Sequence, residues 1–304
     1  MSTAKTIILV IVCALISTMA AHAEPLTGTA KKISDQNAIA VGYRETSIPM
    51  SYLGADLKPI GYAIEICSEI IDYLRVKLQR PKLEIRYVPV TSATRVPLVA
   101  NGTIDLECGS TTNNEDRQKQ VAFSETYFLT AARFAHKNTV PLDRLEDLRD
   151  ATVVSTAGTT NIKELHRLNK DAGLNLTILT ASDHAEAFLN LDSGRAKAFF
   201  MDDIVLAGLI ANAKDPSAFE ISKAAYSHPE PLAVVFRRDD QQFKWLVDEA
   251  TRALYPTEKM LAIYHRWFES ALPPRGTNLQ IPLSEPLRRA FKNPTSSAKP
   301  DAYE

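Results

Sequence analysis

The chain predicts an α/β protein of two lobes, each a mainly parallel sheet flanked by helices, with two hinge strands between them. Three observations predict it. Strand-like apolar runs alternate with helix-period runs, the pattern of parallel sheets with crossover helices. The alternation restarts after residue 130, so a second βαβαβ unit follows the first. No Gly- or Pro-rich stretch separates the units, so extended strands rather than a loose tether must carry the junction.

In the first unit, residues 39–43 read as a strand and 62–78 as a long helix whose apolar positions Ile66, Ile70, Ile71 and Leu74 share one face. Residues 83–88 read as a strand, 95–101 as a helix and 104–108 as a strand. In the second unit, 145–148 is a short helix, 152–155 a strand, 161–169 a helix and 175–179 a strand. A helix at 184–193, a strand at 198–201 and a helix at 204–212 complete it. The hinge candidates are 130–135 outward and 231–236 on return. Helices at 243–255 and 259–269 then pack back on the first lobe. This gives a discontinuous lobe 1 of 24–130 plus 232–304 and a lobe 2 of 131–231. Residues 293–304 offer little to bury and read as a disordered tail.

Residues 1–23 read as a secretory signal: Lys5, an apolar run over 7–16, and Ala21-His22-Ala23 as the cleavage site before Glu24 and Pro25. That run is shorter than the about 20 residues a spanning helix needs, and no later run reaches that length. Cys13 lacks the small-residue context of a lipoprotein cysteine. The expectation is a soluble periplasmic protein of a Gram-negative envelope.

A formal charge of −1 and 45% hydrophobic residues give no support for nucleic-acid binding. Cys67 and Cys108 form either a disulfide, which an oxidising compartment permits, or two buried thiols. There is no Cys/His cluster at zinc spacing, no HExxH, no GxSxG and no P-loop, so neither metal nor cofactor is expected.

The most informative segment is Asp105-Leu-Glu-Cys-Gly-Ser-Thr-Thr-Asn-Asn-Glu-Asp-Arg117. Gly109 permits a tight turn, Ser110, Thr111 and Thr112 offer hydroxyl and main-chain donors, and Asn113 or Asn114 can cap the helix that carries Arg117. Such a set can hold a carboxylate, which an arginine fork meets with two parallel bonds. Ligands of open α/β sheets sit beyond the carboxyl ends of the strands. Arg44, Ser92, Arg95, Ser110, Thr112 and Arg117 follow the strands of the first unit. Thr160, His184 and Asp202 follow those of the second.

Together with Thr91-Ser-Ala-Thr-Arg95-Val-Pro97, the run from Asn101 to Asn114, Ala157-Gly-Thr-Thr160 and Ser182-Asp-His184, this segment makes the chain resemble the periplasmic solute-binding proteins of polar amino-acid ABC transporters, glutamate/aspartate branch. The likeness is collinear from about residue 42 to 291. It implies the type II periplasmic-binding-protein fold, a venus flytrap. It further implies that Arg117 holds an α-carboxylate with Thr112 and Thr160, and that Asp202 holds the α-ammonium with Ser110. Arg44, Ser92, Arg95 and His184 remain for the ligand side chain, for which a second carboxylate is the best match. The implied partners are L-glutamate or L-aspartate and an inner-membrane ABC permease complex, with the protein a monomer.

Three arginines against Asp202 leave two surplus positive charges, unless another acid such as Glu107 lies near, which favours an acidic ligand and disfavours a basic one. His184 is expected to add charge below its reference value of about 6.5, giving a mild pH dependence. Taken singly, Arg44 pairs as readily with Glu45 or Asp56, and Asp203 reads as a helix cap. Met50 and Tyr52 read as core residues that border the cleft, and Trp245 and Trp267 as core. The rival readings are a cyclohexadienyl (prephenate or arogenate) dehydratase on the same fold, and a receptor that feeds a sensor kinase.

Overall fold

A computed structural model describes residues 25–303; the signal segment read over 1–23 lies outside the described residues. The first sheet has five strands in the spatial order Glu84–Pro89, Ala38–Tyr43, Leu106–Cys108, Val235–Arg237, Val121–Phe123. Its first three strands are parallel, with Val41 opposite Tyr87 on one side and Leu106 on the other. The last two pair antiparallel with their neighbours. The second sheet repeats the plan with Thr177–Ala181, Thr152–Thr156, Ala198–Asp202, Ala132–Lys137 and Phe219–Ile221. Again three strands are parallel and the outer pairings antiparallel.

Local chemistry accounts for these elements. Ala198–Asp202 is buried at every position, as expected of a central parallel strand covered on both faces. The helix Tyr62–Lys77 buries Ile66, Ile70, Ile71 and Leu74 on the face their spacing defines, with Glu65 in its first turn and Arg75 and Lys77 in its last, matching the helix dipole. Thr159 accepts from Ile162 N at 3.1 Å and Asp183 from Glu186 N at 2.8 Å, so two second-sheet helices that border the cleft start at side-chain caps. The helices Gln241–Leu254 and Glu258–Phe268 pack against Tyr62–Lys77, as expected.

Four details differ from the sequence reading. The two sheets are joined by a ribbon in which Phe128–Thr130 pairs antiparallel with Glu230–Leu232, slightly earlier than the expected hinge segments. Ala132–Lys137 already belongs to the second sheet and Val235–Arg237 to the first. Residues 293–303 are not a disordered tail. Thr126 N donates to Thr295 O at 2.9 Å, Asn113 Nδ2 donates to Ser296 O at 3.0 Å, and Tyr303 is buried with its hydroxyl 2.7 Å from Thr126 Oγ1. The tail has few apolar residues, so main-chain carbonyls and one tyrosine anchor it. Trp245 is 52% exposed, since the buried stripe of its helix runs through Phe243, Leu246, Val247, Ala250 and Leu254 and leaves it outside. Trp267, by contrast, is buried, in edge contact with the buried Tyr52, and Met50 lies in the same core. Asp203 does not cap its helix through its side chain; its carboxylate accepts from Thr130 Oγ1 at 2.7 Å and pairs with Arg133 at 3.4 Å, fastening the helix start to the ribbon.

Cys67 and Cys108 form a disulfide that ties the long helix to the strand feeding the Gly109 turn. Closing a loop with a sequence separation of 41 constrains the unfolded chain by about 4 kcal/mol in the loop-entropy picture. Replacing both cysteines by serine is therefore expected to lower the thermal unfolding midpoint by several degrees. Reduction of the unaltered protein should produce the same shift, which scanning calorimetry with and without reductant checks.

Candidate functional site

The parallel strands of both sheets end at one junction, and the loops beyond them meet there. Arg44 directly follows the strand Ala38–Tyr43, and its main-chain N–H donates to Ser51 Oγ at 2.9 Å. Its guanidinium donates to Ser92 Oγ at 2.8 Å, joining two loops of the first sheet. Asn114 caps the helix Glu115–Gln118 by accepting from Arg117 N at 2.9 Å, and Arg117 Nη1 donates back to Thr112 O at 2.8 Å. From the second sheet, Thr160 Oγ1 lies 3.4 Å from Thr112 Oγ1, and Arg117 Nη2 donates to Gly158 O at 3.3 Å. Gly158 has φ +74°, and a Cβ there would lie 2.6 Å from the Ala93 backbone. Only glycine lets the two loops approach so closely.

All nine expected residues reach this junction. Arg44, Ser92, Arg95, Ser110, Thr112, His184 and Asp202 are buried, while Arg117 and Thr160 are partly so. Ser110 lies on the loop between Cys108 and Thr112, with its hydroxyl 3.5 Å from Ser47 Oγ. His184 Nδ1 is 2.9 Å from Thr156 Oγ1, a contact that fixes the ring. Asp202 accepts from Asn161 Nδ2 at 2.8 Å.

The electrostatics correct two expectations. The surplus of two positive charges is absent, because two further acids share the junction. Glu107 is fully buried, accepts from Thr111 Oγ1 at 2.6 Å and faces Arg95 at 3.8 Å. Glu230, on the ribbon, accepts from Thr160 Oγ1 at 3.1 Å. Three guanidinium groups thus meet three carboxyl groups. His184 does not gain charge near neutrality: burial, then Arg44 and Arg95, hold its imidazole well below the usual histidine value, so it stays neutral.

Burial and then Arg95 push the Arg44 guanidinium down to about 9, and the same two causes push Arg117 down to about 10. Both remain charged at neutral pH, so the depressions register positive charge short of partners. The same shortage appears as geometry. In this junction Arg44 Nε, Arg95 Nε and Nη1, and His184 Nε2 are buried with no hydrogen-bond partner among the described residues, as are the acceptors Glu107 Oε1 and Asn161 Oδ1. Buried donors are nearly always satisfied in native proteins, and a cluster of them is a demand for an acceptor. Asp202 is shifted the other way: burial, then Glu230, push it up to about 7.

Glu230, Asn161 and Thr156 were not reached from the sequence. Asn161 and Thr156 adjoin strand-end positions that the topology already marked. Glu230 sits between two prolines, Pro229 and Pro231, and only the pairing of its strand with Phe128–Thr130 brings it to the cleft. Among the described residues no cluster of three His, Cys, Asp or Glu is placed to hold a metal ion, and no helix is long and apolar enough to cross a membrane.

Residues 39–270 match the family described as bacterial extracellular solute-binding proteins, family 3, and the chain belongs to that family. It is 43% identical over 289 residues to the L-glutamate/L-aspartate-binding protein of Pseudomonas aeruginosa, covering 95% of each chain. It is 39% identical over 277 residues to the glutamate/aspartate import solute-binding protein of Escherichia coli, covering 91% of each. Among solved structures it is similar in fold to a solute receptor for L-cysteine from Neisseria gonorrhoeae, with a TM-score of 0.69 and 23% identity over 79% of this chain and 93% of that one.

The raised Asp202 carboxyl fixes the sign of a pH effect. The group is protonated in both folded and unfolded states below the ordinary carboxylate value, about 4, so its burial is harmless there. As pH rises through that value toward about 7, the unfolded chain ionises first and the ligand-free fold loses stability. Thermal midpoints measured at pH 5 and pH 8 should therefore fall less in Asp202→Asn than in the unaltered protein. Equal falls would remove Asp202 as a source.

Proposed function

We propose that the chain is a periplasmic solute-binding protein that captures L-glutamate or L-aspartate between its two lobes and delivers it to an inner-membrane ABC importer. The observation that carries this reading is the set of buried, unpartnered donors on Arg44, Arg95 and His184 beside a hydroxyl and main-chain cradle around Arg117. Two anion-seeking groups in one cleft, with Asp202 for a cation, fit an amino acid bearing two carboxylates. The relatives named above, which bind or import glutamate and aspartate by their descriptions, support the same ligand class.

In this reading Arg117, Thr112 and Thr160 take the α-carboxylate, and Asp202 with Ser110 takes the α-ammonium. The side-chain carboxylate falls to Arg44, Ser92, Arg95 and His184, the last as a neutral donor through Nε2. The lobes are 24–130 plus 232–304 and 131–231, and the ribbon at Phe128–Thr130 and Glu230–Leu232 is the hinge. Residues on both lobes share the ligand, so binding favours the closed form by its differential affinity for the two forms. The protein works as a monomer without a cofactor. It is not an enzyme: the relatives are solute-binding proteins, and nothing favours the dehydratase reading.

Isothermal titration of ligand-stripped protein should show binding of L-glutamate and L-aspartate, weak binding of L-glutamine and none of L-arginine. A charge-assisted hydrogen bond contributes roughly 1.5–3 kcal/mol, so Arg95→Met should weaken L-glutamate by roughly 10- to 150-fold while changing L-glutamine less. Equal affinity for glutamine and glutamate would refute the second carboxylate site.

A further inference from the structure

Glu230 lies on the ribbon opposite Thr130 and faces the two threonines assigned to the ligand α-carboxylate. Thr160 Oγ1 is 3.1 Å from Glu230 Oε2 and 3.4 Å from Thr112 Oγ1. The hydroxyls of Thr112, Thr160 and Ser227 all act on the Glu230 carboxyl. The charged groups acting on it are Arg117, from the helix Glu115–Gln118, and Asp202, at the end of the strand Ala198–Asp202.

A hydroxyl has one proton to donate. With Glu230 ionised, Thr160 must spend that proton on Glu230 and turns only lone pairs toward an incoming carboxylate. With Glu230 protonated, the direction reverses. The carboxylic O–H donates to Thr160 Oγ1, and the Thr160 hydroxyl is free to donate either to the ligand or to Thr112, whose own proton then points inward.

Charge counting favours the second state. Three guanidinium groups already meet Glu107, Asp202 and Glu230, so a ligand of net charge −1 would leave a surplus negative charge in a site closed from water. Such a charge is costly without a counter-ion. One proton on Glu230 restores neutrality.

We propose that Glu230 is protonated when an acidic amino acid occupies the cleft, and that in this state it turns the Thr160 and Thr112 hydroxyls to donate to the ligand's α-carboxylate. The inference rests on the ligand reading above, since it takes those threonines as α-carboxylate partners. Burial holds the Glu230 carboxyl above its ordinary value against the pull of the three hydroxyls and Arg117. In the free protein Glu230 opposes the ionisation of Asp202, and a proton on the pair is lost as pH rises above about 7. The α-ammonium keeps Asp202 ionised in the complex, which leaves the proton with Glu230. Glu230 is thus a positioning residue that acts through Thr160.

Titration of L-glutamate into the unaltered protein at pH 8, in buffers of different ionisation enthalpy, should show net proton uptake, and affinity should fall several-fold from pH 7 to 8.5. Glu230→Gln, whose amide can donate to Thr160 as the neutral acid does, should bind within about threefold of the unaltered protein at pH 7 and show neither proton uptake nor that fall. A loss beyond thirtyfold in Glu230→Gln would overturn the proposal by showing that an ionised Glu230 is required. Unaltered protein that binds L-glutamate at pH 8 without proton uptake would overturn it as well. If the unaltered protein bound neither acid at any pH, the ligand reading itself would fall, and this inference with it.

Discussion

The governing constraint is that three guanidinium groups meet at a junction largely closed to water. A charge taken out of water costs several kcal/mol unless it is paired and hydrogen-bonded. Much of the surrounding structure follows from that cost. Glu107 sits fully buried beside Arg95, and its own second acceptor is drawn in by Thr111. A Cβ at Gly109 would lie 2.4 Å from Glu107 Oε1 and 2.9 Å from Arg44 Cγ, so any larger residue there would have to displace this pair of side chains. Pairing is nevertheless incomplete, since donors of Arg44 and Arg95 are buried without a partner among the described residues.

The loop from Gly109 to Gln118 is held at several points, which suits a cradle that must present donors without rearranging. The disulfide anchors its start to the long helix, and the Tyr127 hydroxyl donates to Gly109 O. At its far end Asn113 and Gln118 reach Ser296 O in the C-terminal segment, at 3.0 and 3.4 Å. Ordering these groups in advance removes an entropic cost that a ligand would otherwise meet on binding. The groups of the second sheet, Thr160, His184 and Asp202, share only limited direct contacts with that loop.

Most of the fold was legible because periodicity reports burial. Strands such as Ala198–Asp202 and helices such as Tyr62–Lys77 follow directly from their apolar patterns. The placement of the nine residues at one junction was legible because strand ends in a parallel sheet all open on one side. What escaped was whatever depends on pairing between distant segments. Glu230 reaches the cleft only through its ribbon partner, and the tail is fixed by carbonyls that no side-chain pattern displays. The charge of His184 was misjudged because its reference value describes a solvated ring, whereas here burial and two arginines oppose protonation.

Perturbed carboxyl groups in a cleft usually suggest acid–base catalysis, so Asp202 and Glu230 require an account. Their shifts need no reaction to explain them. Asp202 is buried with one direct donor, Asn161, and Glu230 is close enough to repel its ionised form. Glu230 gains hydroxyl partners that stabilise its charge, yet not enough to offset burial. Packing acids and bases together out of water raises the acids and lowers the bases whether or not chemistry occurs. His184 is fixed by Thr156 and held neutral by burial and then by Arg44 and Arg95, and its Nε2 has no partner among the described residues.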